Sequence, residues 1–511
     1  MKSLAELRKI LFEIYDLKHA GALLGWDQAT YMPPGGAPAR GRQLALLSRL
    51  AHERFTSPEV GRLLEAAERE VASLPPDSDD AALVRVTRRE FEQSVLIPTE
   101  LVSALSEHSA ESYQAWTVAR PANDFATMRP ILEKTLDLSR RIAECFPDRE
   151  SIADPLIAFS DYGMKASSVR AVFDELRARL VPIVRAITSR TPPDASCLAQ
   201  RASASEQLDF GLTVIRKYGY DFDRGRQDMT HHPFMTKFSL GDVRITTRVR
   251  EEDMTDSLFS TLHECGHALY EQGIRMDFEG TPLANGTSSG VHESQSRLWE
   301  NIVGRSRGMW EHFYPSLQAA FPSQLSKVPL DTFYRAINRV DRSLIRVDAD
   351  EVTYNLHVML RFGLELDLLE GRVEVKDLAN VWRERFEADF GLPVPDDRRG
   401  VLQDVHWYSG VIGGVFQGYT LGNILSAQFF EAACAAHPGI PQDIVAGKFD
   451  VLRSWLTENV YQHGSKFTAD EVVRRATGKP LSLDPYLAYL WGKYQPLYGL
   501  REEERTAAGV A

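Results

Sequence analysis

The sequence is poor in the features that most readily announce a class. Its four cysteines, Cys145, Cys197, Cys265 and Cys434, stand far apart in 511 residues and form no C-x-x-C pair. That argues against a disulfide-built scaffold and for a reducing compartment. No stretch approaches the roughly 18 uncharged apolar residues that a membrane span requires, so no membrane partner is expected. The opening "MKSLAELRKILFEIYDLKHAG" breaks its apolar positions with Glu6, Arg8, Lys9 and Glu13. A secretory leader would run unbroken there, and a cytoplasmic location is the expectation. A basic excess is missing too: 59 Lys and Arg stand against 71 Asp and Glu, a net charge of -12. Nucleic acid is therefore not an expected partner. Repeats of fixed period, low-complexity tracts and long linkers are also absent from the sequence.

What is present is an ordinary globular composition, 43% hydrophobic and 25% charged. By length the chain holds about two to four domains or one large helical body. Blocks such as "LAELRKILFEIYDL", "ASSVRAVFDELRARLVPIVRAI" and "VTYNLHVMLRFGLELDLLEG" repeat apolar residues at three and four, and short Pro, Gly and Asp clusters separate them. The expected fold class is mainly α. One segment alternates instead. "FMTKFSLGDVRITTRVR", Phe234–Arg250, reads as a β-hairpin around "LGD". Its second arm sets Val243, Ile245, Thr247 and Val249 on one face and Asp242, Arg244, Thr246 and Arg248 on the other. An edge strand there offers backbone hydrogen bonds to an extended peptide. The tail "REEERTAAGVA" is polar and expected to fray.

Just after the hairpin comes "SLFSTLHECGHALYEQG", Ser257–Gly273. On a helix His263 and His267 lie about 40° apart, and Glu264 about 100° round from His263. Leu258, Leu262, Cys265 and Leu269 fall on the opposite side, so one stripe faces a core and the histidines face something else. Gly266 is unfavourable in a helix by roughly 1 kcal/mol and is easier to explain if a backbone or a substrate approaches closely. Two imidazoles one turn apart both reach a Zn²⁺ at about 2.0–2.1 Å, and Glu264 is placed to take the proton of a metal-activated water. The competing reading is a pair of half-exposed histidines on an amphipathic helix. A third ligand should be a carboxylate or His nearby. Glu293, 26 residues past His267, qualifies if a second helix runs alongside, although an i,i+4 ion pair with Arg297 explains it more simply. Cys265 faces away from both histidines, which disfavours a Cys–His nucleophile.

Further motifs follow in order. "LLGWDQATYMPPGGAPARGRQLALLSRLAHE" lies near the N-terminus, "HPF" at His232–Phe234, and D-x-R-x-T at Asp242, Arg244 and Thr246. After HECGH come H-E-S-Q at His292–Gln295, "IRVDAD" at Ile345–Asp350, and "GVLQDVHW" at Gly400–Trp407, which fits G-x-x-Q-D-x-H-W. The ordered set resembles the M32 metallocarboxypeptidases of the carboxypeptidase Taq type. The resemblance implies a single peptidase domain over residues 1–511: a helical part of the groove over about 1–200, a metal and catalytic part over about 201–500, and the frayed tail 501–511. It implies a large helical body with a deep substrate groove, a small sheet beside the HECGH helix, and a homodimer. It further implies a zinc enzyme, or cobalt in its place, that removes C-terminal residues with broad specificity, proline disfavoured.

Carried over by position, His263, His267 and Glu293 are the metal ligands and Glu264 the base. Tyr419 and His406 are candidate oxyanion donors, and Arg346, Arg244, Asp242, Gln403 and Asp404 are candidate groove residues for a peptide with a free C-terminus. Arg346 is the first choice for gripping the terminal carboxylate, His406 the second and Arg244 the third. Simpler readings compete: an i,i+4 helix ion pair for Arg346 and Asp350, a packed loop for His406 and Trp407, a solvated strand residue for Arg244. One departure stands out. Where the family is expected to read "FPSYTLGN", this chain has "FQGYTLGN", Phe416–Asn423, and Gly418 is expected to loosen the loop carrying Tyr419. The rival functions are an oligopeptidase that cuts internal bonds with the same chemistry, and a catalytically silent peptide-binding protein.

Overall fold

The structure, a computed structural model, describes residues 1–510. Helices form nearly all of it, as the periodicity requires, and one three-stranded sheet interrupts them. Helix α1 (Lys2–Thr30) buries Leu4, Leu7, Leu11 and Ile14, a stripe at three and four. It lies against α2 (Ala37–Phe55), whose own buried residues are only Ala51 and Phe55.

The hairpin forms where the alternation places it. Strands β2 (Met235–Ser239) and β3 (Asp242–Thr247) pair antiparallel, with Met235 opposite Ile245 and Lys237 opposite Val243. Val243, Ile245 and Thr247 are buried as expected, but so is Thr246, from the face read as polar. Its hydroxyl accepts from Phe234 N–H at 2.9 Å and donates to Phe234 C=O at 3.1 Å, so it needs no water. The strand ends at Thr247 and Val249 lies beyond it. A third strand, β1 (Gln227–Met229), runs parallel to β3. Three residues are too few to show alternation, and the sequence carries no sign of it.

Among the helices that follow the sheet, those that position the site are α3 (Asp256–Gly273) with HECGH, α4 (Ser289–Arg297), α5 (Tyr354–Leu369) and α6 (Phe416–Ala436). Ser288 caps α4, accepting from Val291 N–H at 3.1 Å. Two hydrophobic cores organise the molecule. One draws on residues 4–86, 202–337 and 425–473; the other chiefly on 101–187, 340–427 and 481–510. Distant segments interleave in each core. Helix α6 serves both, giving Leu425, Phe429 and Ala433 to the first and Phe416, Ile424 and Ala427 to the second.

The tail is the plainest correction. Glu502–Ala507 form a helix, α7, Glu504 pairs with Arg190 at 2.8 Å, and Ala508 and Val510 are buried in the second core. Two small apolar residues and one ion pair anchor a segment whose composition alone reads as polar.

Helices α3, α4 and α6 approach closely because glycine stands at each crossing. A Cβ on Gly266 would lie 2.5 Å from Gln295 O and 2.6 Å from Ser296 Cα; one on Gly422 would lie 2.4 Å from Glu293 Cγ. The expectation of a close backbone at Gly266 is met by α4. Gly266→Ala should therefore destabilise the fold by about 1–3 kcal/mol of overpacking, outweighing the roughly 1 kcal/mol that alanine gains in a helix. A lower unfolding midpoint is the expected result; an equal or higher one would show that the helices spread freely.

Candidate metal centre and substrate cleft

Helix α3 presents His263 and His267 to Glu293 of α4. Glu293 Oε2 stands 3.7 Å from His263 Nε2 and 3.4 Å from His267 Nε2. The donor atoms of the three lie within 4.8 Å of one another. The ion pair with Arg297 is present as well, with Arg297 Nε donating to Glu293 Oε1 at 2.7 Å. The two readings of Glu293 are thus not alternatives: one oxygen serves the arginine, the other faces the histidines.

The far side of each imidazole is held. His263 Nδ1 meets Glu300 Oε2 at 2.9 Å, from a π-helical turn (Leu298–Val303) that continues α4. His267 Nδ1 meets His292 Nδ1 at 2.6 Å, His292 Nε2 meets Glu271 Oε1 at 2.9 Å, and Lys237 Nζ of β2 donates to Glu271 Oε2 at 2.6 Å. Hydrogen bonding at both Nδ1 atoms leaves both Nε2 atoms free to bind an ion, the arrangement that orients metal-ligating histidines. Sequence reasoning missed Glu300, Glu271 and Lys237 and gave His292 no role. The i,i+4 step from His267 to Glu271 and the two-turn step from Glu293 to Glu300 were the available signals. Lys237 left none, since its contact crosses from sheet to helix.

Charge favours a cation here. Burial alone would raise Glu293, but Arg297, His263 and His267 hold its carboxyl well below the usual range. Glu300 is likewise pushed down to about 2 against burial by His263 and Arg297, and Glu271 to about 2 by Lys237 and His292. Burial brings His267 down to about 4, so its imidazole is in the neutral, ligating form at neutral pH. Glu264 goes the other way: burial first, and the Glu293 and Glu300 charges with it, raise it to about 7. Its other neighbours are His263 and the Met235 backbone of β2, both of which oppose the rise. Cys265 is fully buried and burial pushes its thiol up, so it is no nucleophile.

A second cluster adjoins the first. Tyr354 lies under the Arg297 guanidinium at 4.4 Å, and its hydroxyl accepts from Arg346 Nη1 at 2.9 Å. Arg346 Nε donates to Asp404 Oδ2 at 2.6 Å, Asp404 Oδ1 holds His406 Nδ1, and His406 Nε2 is 3.3 Å from the Tyr419 hydroxyl. Gln403 Oε1 accepts from the Arg346 backbone N–H at 2.9 Å and its amide donates to Leu344 O and Arg399 O. The helix ion pair of Arg346 with Asp350 is not formed. Residues 346–348 are a single 3-10 turn, and Asp350 instead accepts from the Val352 and Thr353 N–H groups. Trp407 is packed, donating to Glu365 at 2.8 Å.

"FQGYTLGN" is no loop. It opens α6, where Gly418 is buried against Ser289 and a Cβ would meet Ser289 Oγ at 2.1 Å, so the expected looseness is absent. Gln417 fastens the same turn, donating to Asp161 at 3.0 Å and Ser160 at 2.9 Å. Arg244 forms two bonds of 2.8 Å to Asp242, and its guanidinium rests on Trp26 and Phe238 at 4.5 and 4.8 Å. It is a stacked strand residue, not a solvated one.

A cavity of about 620 Å³ opens where the two cores meet, walled by His267, His292, Glu293 and Tyr419 on one side and by Arg89, Glu90 and Tyr162 on the other. Two imidazoles and a carboxylate converging beside a buried acid, with His267 and Glu293 of that set lining the cavity, are the equipment of a metal-dependent hydrolase. Comparison with known proteins narrows the class. A family model described as carboxypeptidase Taq (M32) metallopeptidase matches residues 6–494, and the chain belongs to that family. It is similar to thermostable carboxypeptidase 1 of Thermus thermophilus, 41% identical over 493 residues, 94% of this chain and 96% of the relative. Carboxypeptidase 1 of Bacillus subtilis is 34% identical over 494 residues, 96% and 98% of the two chains. The crystal structure of an M32 carboxypeptidase from Deinococcus radiodurans superposes with a TM-score of 0.95 at 52% identity, covering 98% of this chain and all of the other. The protein is a metallocarboxypeptidase, and a metal cofactor goes with the family.

Glu300→Gln should weaken metal binding by about 10- to 100-fold, measured by competition with a chelator. Unchanged affinity would show that His263 keeps its orientation without that carboxylate. The same variant tests the charge. A carboxyl lowered from 4.5 to about 2 stabilises the fold above its unfolded value and loses that contribution as pH falls toward 2. Metal-free Glu300→Gln should therefore lose less stability than wild type between pH 4.5 and 2.

Proposed function

We propose that this protein is a zinc-dependent carboxypeptidase, with cobalt able to replace zinc, that removes C-terminal residues from peptides with broad specificity and proline disfavoured. The observation that carries the reading is the convergence of His263, His267 and Glu293 next to a buried Glu264, with His267 and Glu293 lining the cavity. The donor set fits the ion: two nitrogens and a carboxylate oxygen with their outer partners in place. Bound there, zinc supplies a Lewis acid that polarises the scissile carbonyl and acidifies the attacking water.

Glu264 takes the proton of that water and returns it to the leaving amine, acting first as general base and then as general acid. Tyr419 donates to the developing oxyanion, since burial raises its pKa and its hydroxyl stays protonated. His406, oriented by Asp404, is the alternative to Tyr419 in that role. The α-carboxylate of the substrate docks at the Arg346–His406 end. Arg346 is buried, and Asp404 and Tyr354 already occupy its Nε and Nη1, so His406 makes the more exposed contact. Gln403 and Asp404 hold these two in place, and Arg244, closed on Asp242, is the least favoured of the three anchors.

Free-acid and C-terminally amidated forms of one peptide test the function. Wild type should release amino acids one at a time from the acid and cut the amide poorly; equal rates on both would favour the oligopeptidase reading. Glu264→Gln should keep its metal and peptide binding while turnover falls by roughly 10²–10⁴-fold, and near-normal turnover would assign the base elsewhere.

The protein is read as a cytoplasmic homodimer. Four free cysteines suit a reducing compartment, and among the described residues no helix is long and apolar enough to cross a membrane. Helix α2 leaves Leu46 and Leu50 exposed, apolar side chains that a second copy would cover. Leu46→Glu with Leu50→Glu should halve the sedimentation mass; a monomeric wild type would remove the dimer.

A further inference from the structure

Asp404 answers to two arginines. Its Oδ2 accepts from Arg346 Nε at 2.6 Å and lies 3.5 Å from Nε of Arg361, on α5, while Oδ1 is taken by His406. Both guanidiniums are almost sealed, with side chains 7% and 1% exposed. The other groups facing Arg361 do not balance it. Glu365, one turn further along α5, is pushed up to about 8 by burial and keeps its proton at neutral pH. Its Oε1 accepts from Trp407 and its Oε2 has no partner. His357 is held neutral by burial and the two arginines, and contributes only its carbonyl, at 3.2 Å from Arg361 Nη1. The rest of the surroundings are rings: Trp382 at 4.8 Å and Phe416 at 5.5 Å from the guanidinium carbon. Arg361 Nη2 has no hydrogen-bond partner. Burial lowers Arg361, but only to about 10, so it remains a cation at working pH.

Two buried cations therefore share one carboxylate. An uncompensated charge in such a place is expensive, and replacing it with apolar groups would ordinarily stabilise a fold. Its retention beside the cleft calls for a use. From the sharing of Asp404 we infer that Arg361 is a positioning residue for the substrate's terminal carboxylate. By drawing on the oxygen that holds Arg346, it leaves the Arg346–His406 face with net positive charge, which the anionic end of a peptide completes. Arg361 itself touches no substrate; it acts through Asp404. The inference rests on the carboxypeptidase reading of that end of the cleft, and it adds a residue that lies in none of the sequence motifs.

The test compares Arg361→Met, Arg361→Gln and Arg361→Lys with wild type on free-acid and amidated forms of one peptide, alongside metal content and thermal unfolding. The neutral variants should lose about tenfold or more in kcat/KM on the free acid, chiefly through KM, and far less on the amide, so that the acid-to-amide ratio collapses. Arg361→Lys should restore most of the ratio. A merely structural role would lower both substrates together and leave the ratio alone. Arg361→Gln carries the measurement if the methionine variant fails to fold. A wild type indifferent to the amide would remove the carboxypeptidase reading itself; an acid preference that survives in folded Arg361→Gln would overturn only the role of Arg361.

Discussion

The carboxylate of Glu293 holds the centre together, and it can do so only because α4 lies wedged between two glycines. Gly266 lets α3 meet the α4 backbone, and Gly422 lets α6 close over Glu293 itself. Squeezed between them, Glu293 directs one oxygen to Arg297 and the other to the histidines. A carboxylate so buried persists as an anion only because cations and imidazoles surround it. The packing distance and the geometry of the cluster are thus one constraint: widen the helix crossing by the width of a methyl group and Glu293 moves away from the two histidines.

Legibility in the sequence followed the range of the interaction. His263, Glu264 and His267 lie within one helical turn, where periodicity fixes their relative directions, and the hairpin needed only a local alternation. Glu293 could be proposed but not chosen over its ion pair with Arg297, because a carboxylate with two oxygens serves both. Arg346 and Asp350 show the converse failure. Their spacing invites a helix ion pair, yet Asp404, 58 positions away, captures the guanidinium and the segment forms a single turn. Gly418 was misread because its freedom was weighed without the Ser289 side chain that crowds it. Contacts such as Lys237 with Glu271 join sheet to helix and leave no trace in spacing. The fold class needed none of these, since helical periodicity repeats throughout the chain.

The two adjoining clusters carry opposite charge. Around the histidines stand Glu264, Glu293 and Glu300, a surplus of acid suited to a dication; around Tyr419 stand Arg346 and Arg361 over the single Asp404. Arg297, stacked on Tyr354, links the two, pairing with Glu293 on one side while Tyr354 accepts from Arg346 on the other. On the proposed function, such a field would orient a peptide with its anionic terminus toward the arginines.

The interleaving of the two cores bears on how the chain is made. The first core is not complete until residues 425–473 have joined segments near the N-terminus, and the second waits for Val510. During synthesis the helices of residues 1–200 are finished hundreds of residues before their partners exist, so their apolar faces stay uncovered until those segments arrive. Late closure of long loops slows folding and leaves sticky surface uncovered meanwhile. Ala508 and Val510, in a segment that is polar by composition, are buried in that second interior, so deleting residues 502–510 would uncover the apolar side chains they pack against.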